Sequence, residues 1–252
     1  MYDAIILAGG ECGHEFRRQS QQPYEALLDI AGKPMVTFVA RALADSGQVN
    51  RIIVAGPAVA LANCLFPAGT IVVEGGQTIM DTMRLAMAEL GHHRKTIVAA
   101  ADIPLLTGEA VNHFVQQCSL FEADLYYPIV AKAVNDQAYP AARRTYVRLR
   151  EGEFTGGNLF LVNPAIVPQC MTVAREIIRH RKSPLKLCRM LGWLFVLRFI
   201  MGRLTLEQAA TRAASLLGIR GAVLQSPYPE IGIDVDKLSD FELVRQALAV
   251  RS

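Results

Sequence analysis

Asp102 closes an apolar run in Ala101-Asp102-Ile103-Pro104-Leu105-Leu106, and two more aspartates alternate near the other end of the chain in Gly232-Ile233-Asp234-Val235-Asp236. A lone carboxylate after small residues suits Mg²⁺, which keeps several of its waters. Alternation puts Asp234 and Asp236 on the same side of an extended backbone, so one or both could join Asp102 around a cation. Each aspartate also has a plainer use: Asp102 can cap the turn into the next helix, and Asp236 can serve a turn or cap. A second chemistry is offered by Leu7, Ala8, Gly9 and Gly10, followed by Gly13 and the pair Arg17-Arg18. Glycines at the carboxyl end of a leading strand let backbone N–H groups approach an anion, and guanidinium groups then neutralise a triphosphate. A Gly-Gly pair equally makes an ordinary tight turn. It is neither the dinucleotide fingerprint nor a Walker A loop.

These residues need a scaffold, and the hydrophobic pattern supplies one. Apolar runs rich in Val and Ile alternate with segments of helical period, the signature of βαβ units and a mostly parallel sheet. The pattern predicts strands at Ala4–Leu7, Arg51–Ala55, Thr70–Val73, Thr96–Ala100, Ala123–Val130, Tyr146–Leu149, Leu159–Val162, Ala222–Gln225 and Ile231–Val235. Helices are predicted at Pro34–Ser46, Ile79–Leu90, Gly108–Gln117, Pro164–His180, Pro184–Met201, Thr205–Leu217 and Ser239–Ala249. Pro34 and Pro164 fall where a first helical turn tolerates a missing N–H. Ser239 with Glu242 reads as a capping box. In such a fold Asp102 stands above the carboxyl edge of the sheet, where open α/β folds bind ligands. The fold class is therefore α/β.

Composition narrows the classes. The chain has 252 residues, 52% of them hydrophobic and 19% charged, enough apolar surface to order one large domain over 1–252. Twenty-six Lys and Arg against 23 Asp and Glu leave +3, which does not advertise nucleic acid as a partner. Five cysteines in neither a CxxC nor a zinc spacing fit a reducing compartment. A strand pattern that begins at Asp3 leaves no room for a signal peptide, so the expected location is cytoplasmic. One region departs from the average: Arg175 to Arg203 holds eight Lys or Arg and one acid in an apolar helical stretch. It reads as a helical insertion at about 168–218, serving as a lid, a homodimer face or a membrane-surface contact through 185–202. Its longest uncharged run, Met190 to Leu197, is too short to span a bilayer.

Taken in order, LAGG at 7–10, Ala31-Gly32-Lys33-Pro34-Met35, Glu74-Gly75-Gly76 before a helix, Ala101-Asp102-Ile103-Pro104 and Asp234-Val235-Asp236-Lys237-Leu238-Ser239-Asp240 cover nearly the whole chain. The combination resembles the MobA-like nucleotidyltransferases of the glycosyltransferase-A-like fold. That superfamily contains molybdenum-cofactor and sugar-1-phosphate nucleotidylyltransferases. A closer resemblance, to a bacterial subgroup of NTP transferase domain proteins, rests on the segments Arg144–Gly152, Phe154–Leu159, Leu191–Trp193 and Ser226–Glu230.

The resemblance implies a three-layer α/β/α Rossmann-like mixed sheet of the nucleotide-diphospho-sugar transferase type. It implies Mg²⁺-dependent (or Mn²⁺-dependent) transfer of a nucleotidyl group from an NTP, CTP or GTP favoured, to a phosphorylated acceptor, releasing pyrophosphate. By the same resemblance Leu7, Ala8, Gly9, Gly10 and Arg17 or Arg18 hold the triphosphate. Asp102 binds metal with the Asp234–Asp236 pair, and Gly75, Gly76 and Thr78 hold the base. The acceptor falls on Thr155, Gly156, Gly157 and Asn158, with Arg144 as a cation for its phosphate. Thr155–Asn158 also has the composition of a turn leading into a strand. A glycosyltransferase of this fold would use a D-x-D motif in mid-chain, and here D-x-D occurs only at Asp234–Asp236.

One position departs from the family pattern. Glu25, in Pro23-Tyr24-Glu25-Ala26, stands where the family carries a Lys. Two unit charges 4 Å apart interact by roughly 4 kcal/mol at an effective dielectric near 20, so the reversal weighs heavily on triphosphate binding. Arg17 or Arg18 compensates, Glu25 turns outward, or the chain keeps nucleotide or sugar-nucleotide binding without transfer.

Overall fold

The computed structural model describes residues 1–20, 22–91, 94–170, 172–173 and 190–251. Its centre is a mixed sheet built from β1 (Tyr2–Leu7), β4 (Val49–Gly56), β5 (Thr70–Glu74), β6 (Thr96–Ala100), β7 (Leu125–Ala131), β8 (Val147–Leu149), β9 (Gly152–Gly156), β10 (Leu159–Val162) and β11 (Gly221–Ser226). β2 (Asp29–Ile30) and β3 (Lys33–Pro34) form a separate hairpin. The strand order is β5-β4-β1-β6-β10-β7-β9-β8, and β11 pairs with β7. β1, β4, β5 and β6 are parallel neighbours, while β10 runs antiparallel between β6 and β7. β7 shares one edge between β10 and β9, because β11 lies parallel along nearly its whole length on the other.

The central strands alternate between two cores. Ala4, Ile6, Ile52, Val54, Ile97 and Ala99 pack on one face with α2 (Met35–Asp45) and α5 (Gly108–Cys118). Ile5, Ile53, Ala55 and Val98 pack on the other with α4 (Ile79–Leu90). Burial on both faces is why these strands read as unbroken apolar runs. The arrangement is the three-layer α/β/α sandwich with a mixed sheet that the resemblance implies. Short helices α1 (His14–Gln19), α3 (Ala58–Leu61) and α6 (Lys132–Ala138), together with β9, were not legible as periodic segments. Elements of four to seven residues are shorter than the window that periodicity needs.

Several expectations change. Ile231–Val235 is not a strand: Pro229–Gly232 forms a 3₁₀ turn, and 233–236 is extended but unladdered. Its backbone groups go singly to two segments, Asn158 N donating to Ile231 O at 2.8 Å and Val235 N to Asp102 O at 2.9 Å. The last helix, α9 (Leu238–Arg251), is not opened by a Ser239–Glu242 box. Asp240 reaches back instead, its Oδ2 accepting from the amides of Asp236 and Lys237 at 3.3 and 3.1 Å. Pro34 precedes α2 as its N-cap rather than entering it, whereas Pro164 does open a 3₁₀ turn.

Of the 168–218 region, α7 (Trp193–Ile200) and α8 (Leu206–Leu217) are described. Phe195, Leu206 and Ala209 pack onto Ile129, Leu149, Phe154 and Leu204 at the β7–β9 end of the sheet. Residue 171 and residues 174–189, hence the second part of Pro164–His180, the start of Pro184–Met201 and Cys188, lie outside the described residues. Among the described residues, no helix is long and apolar enough to cross a membrane.

Candidate active site

The parallel neighbours β1 and β6 end side by side, with Ala101 N donating to Leu7 O at 3.2 Å. This sets Leu7–Gly10 next to Asp102 at the carboxyl edge of the sheet, where helix-flanked sheets bind ligands. β4 and β5 end beside them: Ala8 N donates to Ala55 O at 2.8 Å, and Gly75 N to Gly56 O at 2.8 Å. Because β10 is antiparallel, its first residues come to the same edge, Ala100 N donating to Asn158 O at 2.9 Å. One rim thus carries Leu7–Gly10, Gly75, Asp102 and Asn158.

Asp102, Asp234 and Asp236 converge there. Each offers a carboxylate oxygen, and the three oxygens lie within 4.8 Å of one another. The approach is enforced by the backbone bond from Val235 to Asp102 and by burial of Ile233 and Val235 beneath α9, which leaves Asp234 and Asp236 on the opposite side of the extended segment. Asp102 Oδ1 is buried without a hydrogen-bond partner. Burial, followed by repulsion from Asp236, pushes its carboxyl up to about 6. A buried, unsatisfied carboxylate oxygen among hard oxygen donors fits a divalent cation such as Mg²⁺.

Glu25 faces this cluster. Its backbone is fixed by Glu25 N donating to Gly10 O at 3.0 Å and by the Glu11–Tyr24 bridge beside it. Its Oε2 lies 3.1 Å from where a Cβ on Gly10 would stand. Burial, then Asp102 and Asp236, push its carboxyl up to about 7, opposed by the Gly13 amide that donates to it. An outward-turned Glu25 is therefore not what the loop builds. Nor does Arg17 answer it: its Nη2 pairs with Glu11 Oε2 at 2.7 Å and its Nε donates to Cys12 O at 2.8 Å. Arg18 is exposed on α1. Cys12 is buried, and burial together with Glu25 raises its thiol, the opposite of nucleophile activation.

Arg144 is not free for an acceptor phosphate. Its side chain is only 7% exposed, pairs with the Asp234 carboxylate, donates to Asp234 O at 3.0 Å and lies 3.8 Å from Asp240. It braces the acidic segment. Asp240 is the member that sequence reasoning passed over; its signal was an acid in the first helical turn, four residues after Asp236. Thr155–Asn158 reaches the rim, but its glycines serve packing. A Cβ on Gly157 would stand 2.6 Å from Ile231 Cγ2 and 2.9 Å from Pro128 Cγ, and one on Gly156 would collide with Tyr127 Oη. Thr155 is buried and Asn158 half-buried.

Gly75, Gly76 and Thr78 shape the start of α4. Thr78 Oγ1 accepts from Asp81 N at 3.1 Å, and Gly76 N donates to Thr82 Oγ1 at 3.0 Å. A Cβ on Gly76 would press on Asp81 and stand 3.0 Å from Thr82 N, so the chain can turn onto the helix there only as glycine. Gly9 has nothing within 4 Å of the corresponding point, so its backbone is open to a ligand.

Comparison with known proteins identifies the family and the fold. Residues 4–178 match the family model described as the MobA-like NTP transferase domain. A hypothetical transferase structure from Thermus thermophilus is 36% identical with a TM-score of 0.81, over 95% of this chain and 99% of that one. CMP:2-keto-3-deoxy-manno-octonic acid synthetase, solved with CTP, is 15% identical with a TM-score of 0.60, covering 100% of both chains. A 2-C-methyl-D-erythritol 4-phosphate cytidylyltransferase, also from Thermus thermophilus, is 14% identical with a TM-score of 0.53, over 99% of this chain and 100% of that one. The last two share the fold. No curated protein matches the sequence.

Proposed function

The chain belongs to the MobA-like NTP transferase family, and from that premise we propose that it transfers a nucleoside monophosphate from CTP or GTP to a phosphorylated small molecule, with Mg²⁺ or Mn²⁺ on Asp102, Asp234 and Asp236. The observation that carries this reading is the convergence of those three carboxylates beside the open backbone of Gly9. An acceptor phosphate oxygen forms a bond to the α-phosphorus as the bond to the bridging oxygen breaks, and pyrophosphate departs. A phosphate acceptor is already ionised, so no general base is needed. When bound, the divalent cation supplies charge neutralisation and Lewis acidity at the phosphates. The chain's own contribution is positional. Gly9 and Gly10 present backbone N–H groups to the triphosphate, the Gly75–Thr78 turn receives the base, and Arg144 holds Asp234 in place through the strong hydrogen bonding of a guanidinium to a carboxylate.

Glu25 favours a second reading, a nucleotide or sugar-nucleotide binder without transfer. It puts a fourth carboxylate against the cluster where the family pattern has a cation. The two readings separate in one experiment. Purified protein is mixed with each NTP, Mg²⁺ and a library of phosphorylated metabolites, and pyrophosphate is measured. Transfer predicts release that disappears in EDTA and in Asp102→Ala. No release from any pair, with release gained in Glu25→Lys and with nucleotide binding by calorimetry that survives EDTA, overturns it in favour of the binder.

A further inference from the structure

α7 is apolar at every residue but Arg198, and among the described residues one side of it is packed while the other is exposed. Phe195 packs into the cluster of Ile129, Leu149, Phe154 and Leu204. The outward side carries Trp193, Leu194, Leu197, Ile200 and Met201, at helical positions i, i+1, i+4, i+7 and i+8, exposed by between 48% and 74%. An apolar helix face of this size with basic residues at its end is the pattern of a helix that lies at a membrane interface. Charge then narrows the choice of partner. Residues 177–206 contain seven Lys and Arg and no Asp or Glu; with 26 Lys and Arg in all, this leaves 19 against 23 acids in the remainder of the chain. In the sequence, then, the basic residues concentrate in the stretch before and through α7. Among the described residues, Arg198 lies in the last turn of α7 and Arg203 just beyond it, Arg203 N donating to Arg198 O at 2.8 Å.

We propose that this face of α7 docks onto an anionic lipid surface. Eight residues span about 12 Å, so the helix lies in the plane of the interface and does not cross it. The apolar side chains enter the acyl boundary, Trp193 takes the interfacial position its ring prefers, and the arginines stay with the lipid phosphates. Apolar burial and basic charge are the two signals that together hold a protein at a membrane. A second copy of the chain fits the face less well, because a two-fold contact would bring Arg198 and Arg203 of both copies together. This docking is independent of the reaction proposed above.

Trp193 is the only tryptophan of the chain, so its fluorescence reports this face alone. Full-length protein is titrated with vesicles of phosphatidylcholine and with vesicles containing about one-third phosphatidylglycerol. The anionic vesicles are expected to shift the emission to the blue, to allow quenching by brominated acyl chains, and to bind at least about tenfold more tightly than the neutral ones, with binding weakened as NaCl is raised. Leu197→Glu with Ile200→Glu should abolish the shift, and Arg198→Glu with Arg203→Glu should remove the preference for anionic lipid. Leu197→Glu with Ile200→Glu leaves the packed face untouched, and circular dichroism checks the fold of both variants. Equal binding to both vesicle types, no shift with anionic vesicles, or a Leu197→Glu/Ile200→Glu variant that binds like the parent overturns the proposal. So does a concentration-dependent dimer in sedimentation that already shields Trp193.

Discussion

Glu25 turns a fourth carboxylate toward Asp102 and Asp236. Its carboxyl ionises near pH 7 in the folded chain against an ordinary value of 4.5, because burial and two neighbouring aspartates oppose its charge. Asp102 is displaced in the same direction. The folded state therefore binds more protons than the unfolded one between about pH 4.5 and 7, and stability falls as pH rises through that window. In EDTA the melting temperature should drop from pH 5 to pH 8, and Glu25→Gln should remove part of that drop. Equal slopes for the two proteins would mean that Glu25 does not feel the cluster. The presence of an acid at position 25 was legible in the sequence. Its inward direction was not, because that depends on backbone bonds from Gly10 and Cys12 to residues 23–25 that no local pattern encodes.

At the scale of elements, Arg144 ties the loop after α6 to the first turn of α9. It is a buried cation serving two carboxylates, Asp234 and Asp240. Removing it leaves both uncompensated, so Arg144→Met should lower unfolding free energy by about 3 kcal/mol or more in urea titration. A residue kept open for an acceptor would show almost no change. Distance along the chain explains why this role was hidden: 90 residues separate Arg144 from Asp234. Alternation, by contrast, is a local property, and it placed Asp234 and Asp236 on one side correctly even though no strand forms there. The turn at Thr155–Asn158 was recognisable as glycine-rich, yet what fills the space above its glycines, Tyr127, Pro128 and Ile231, comes from other elements.

For the whole molecule, the parallel half of the sheet was the most readable feature, because strands buried on both faces announce themselves as apolar runs. The antiparallel insertion of β10 and the sharing of β7's edge were not, since strand order is set by long-range pairing. That topology brings a carboxylate from the end of β6 within 4.8 Å of two from the segment before α9. Mg²⁺ binding only the folded chain should stabilise it by about 2.7 kcal/mol at a hundredfold excess over Kd. Melting curves at increasing Mg²⁺ check this: the rise should be present in the parent and lost in both Asp102→Asn and Asp234→Asn. The hydrogen bond from Val235 to Asp102 joins residues 133 positions apart. A cut anywhere between Asp102 and Asp234 parts Asp102 from Asp234 and Asp236, so neither fragment alone carries all three carboxylates. The cluster belongs to the folded chain and to no local segment of it.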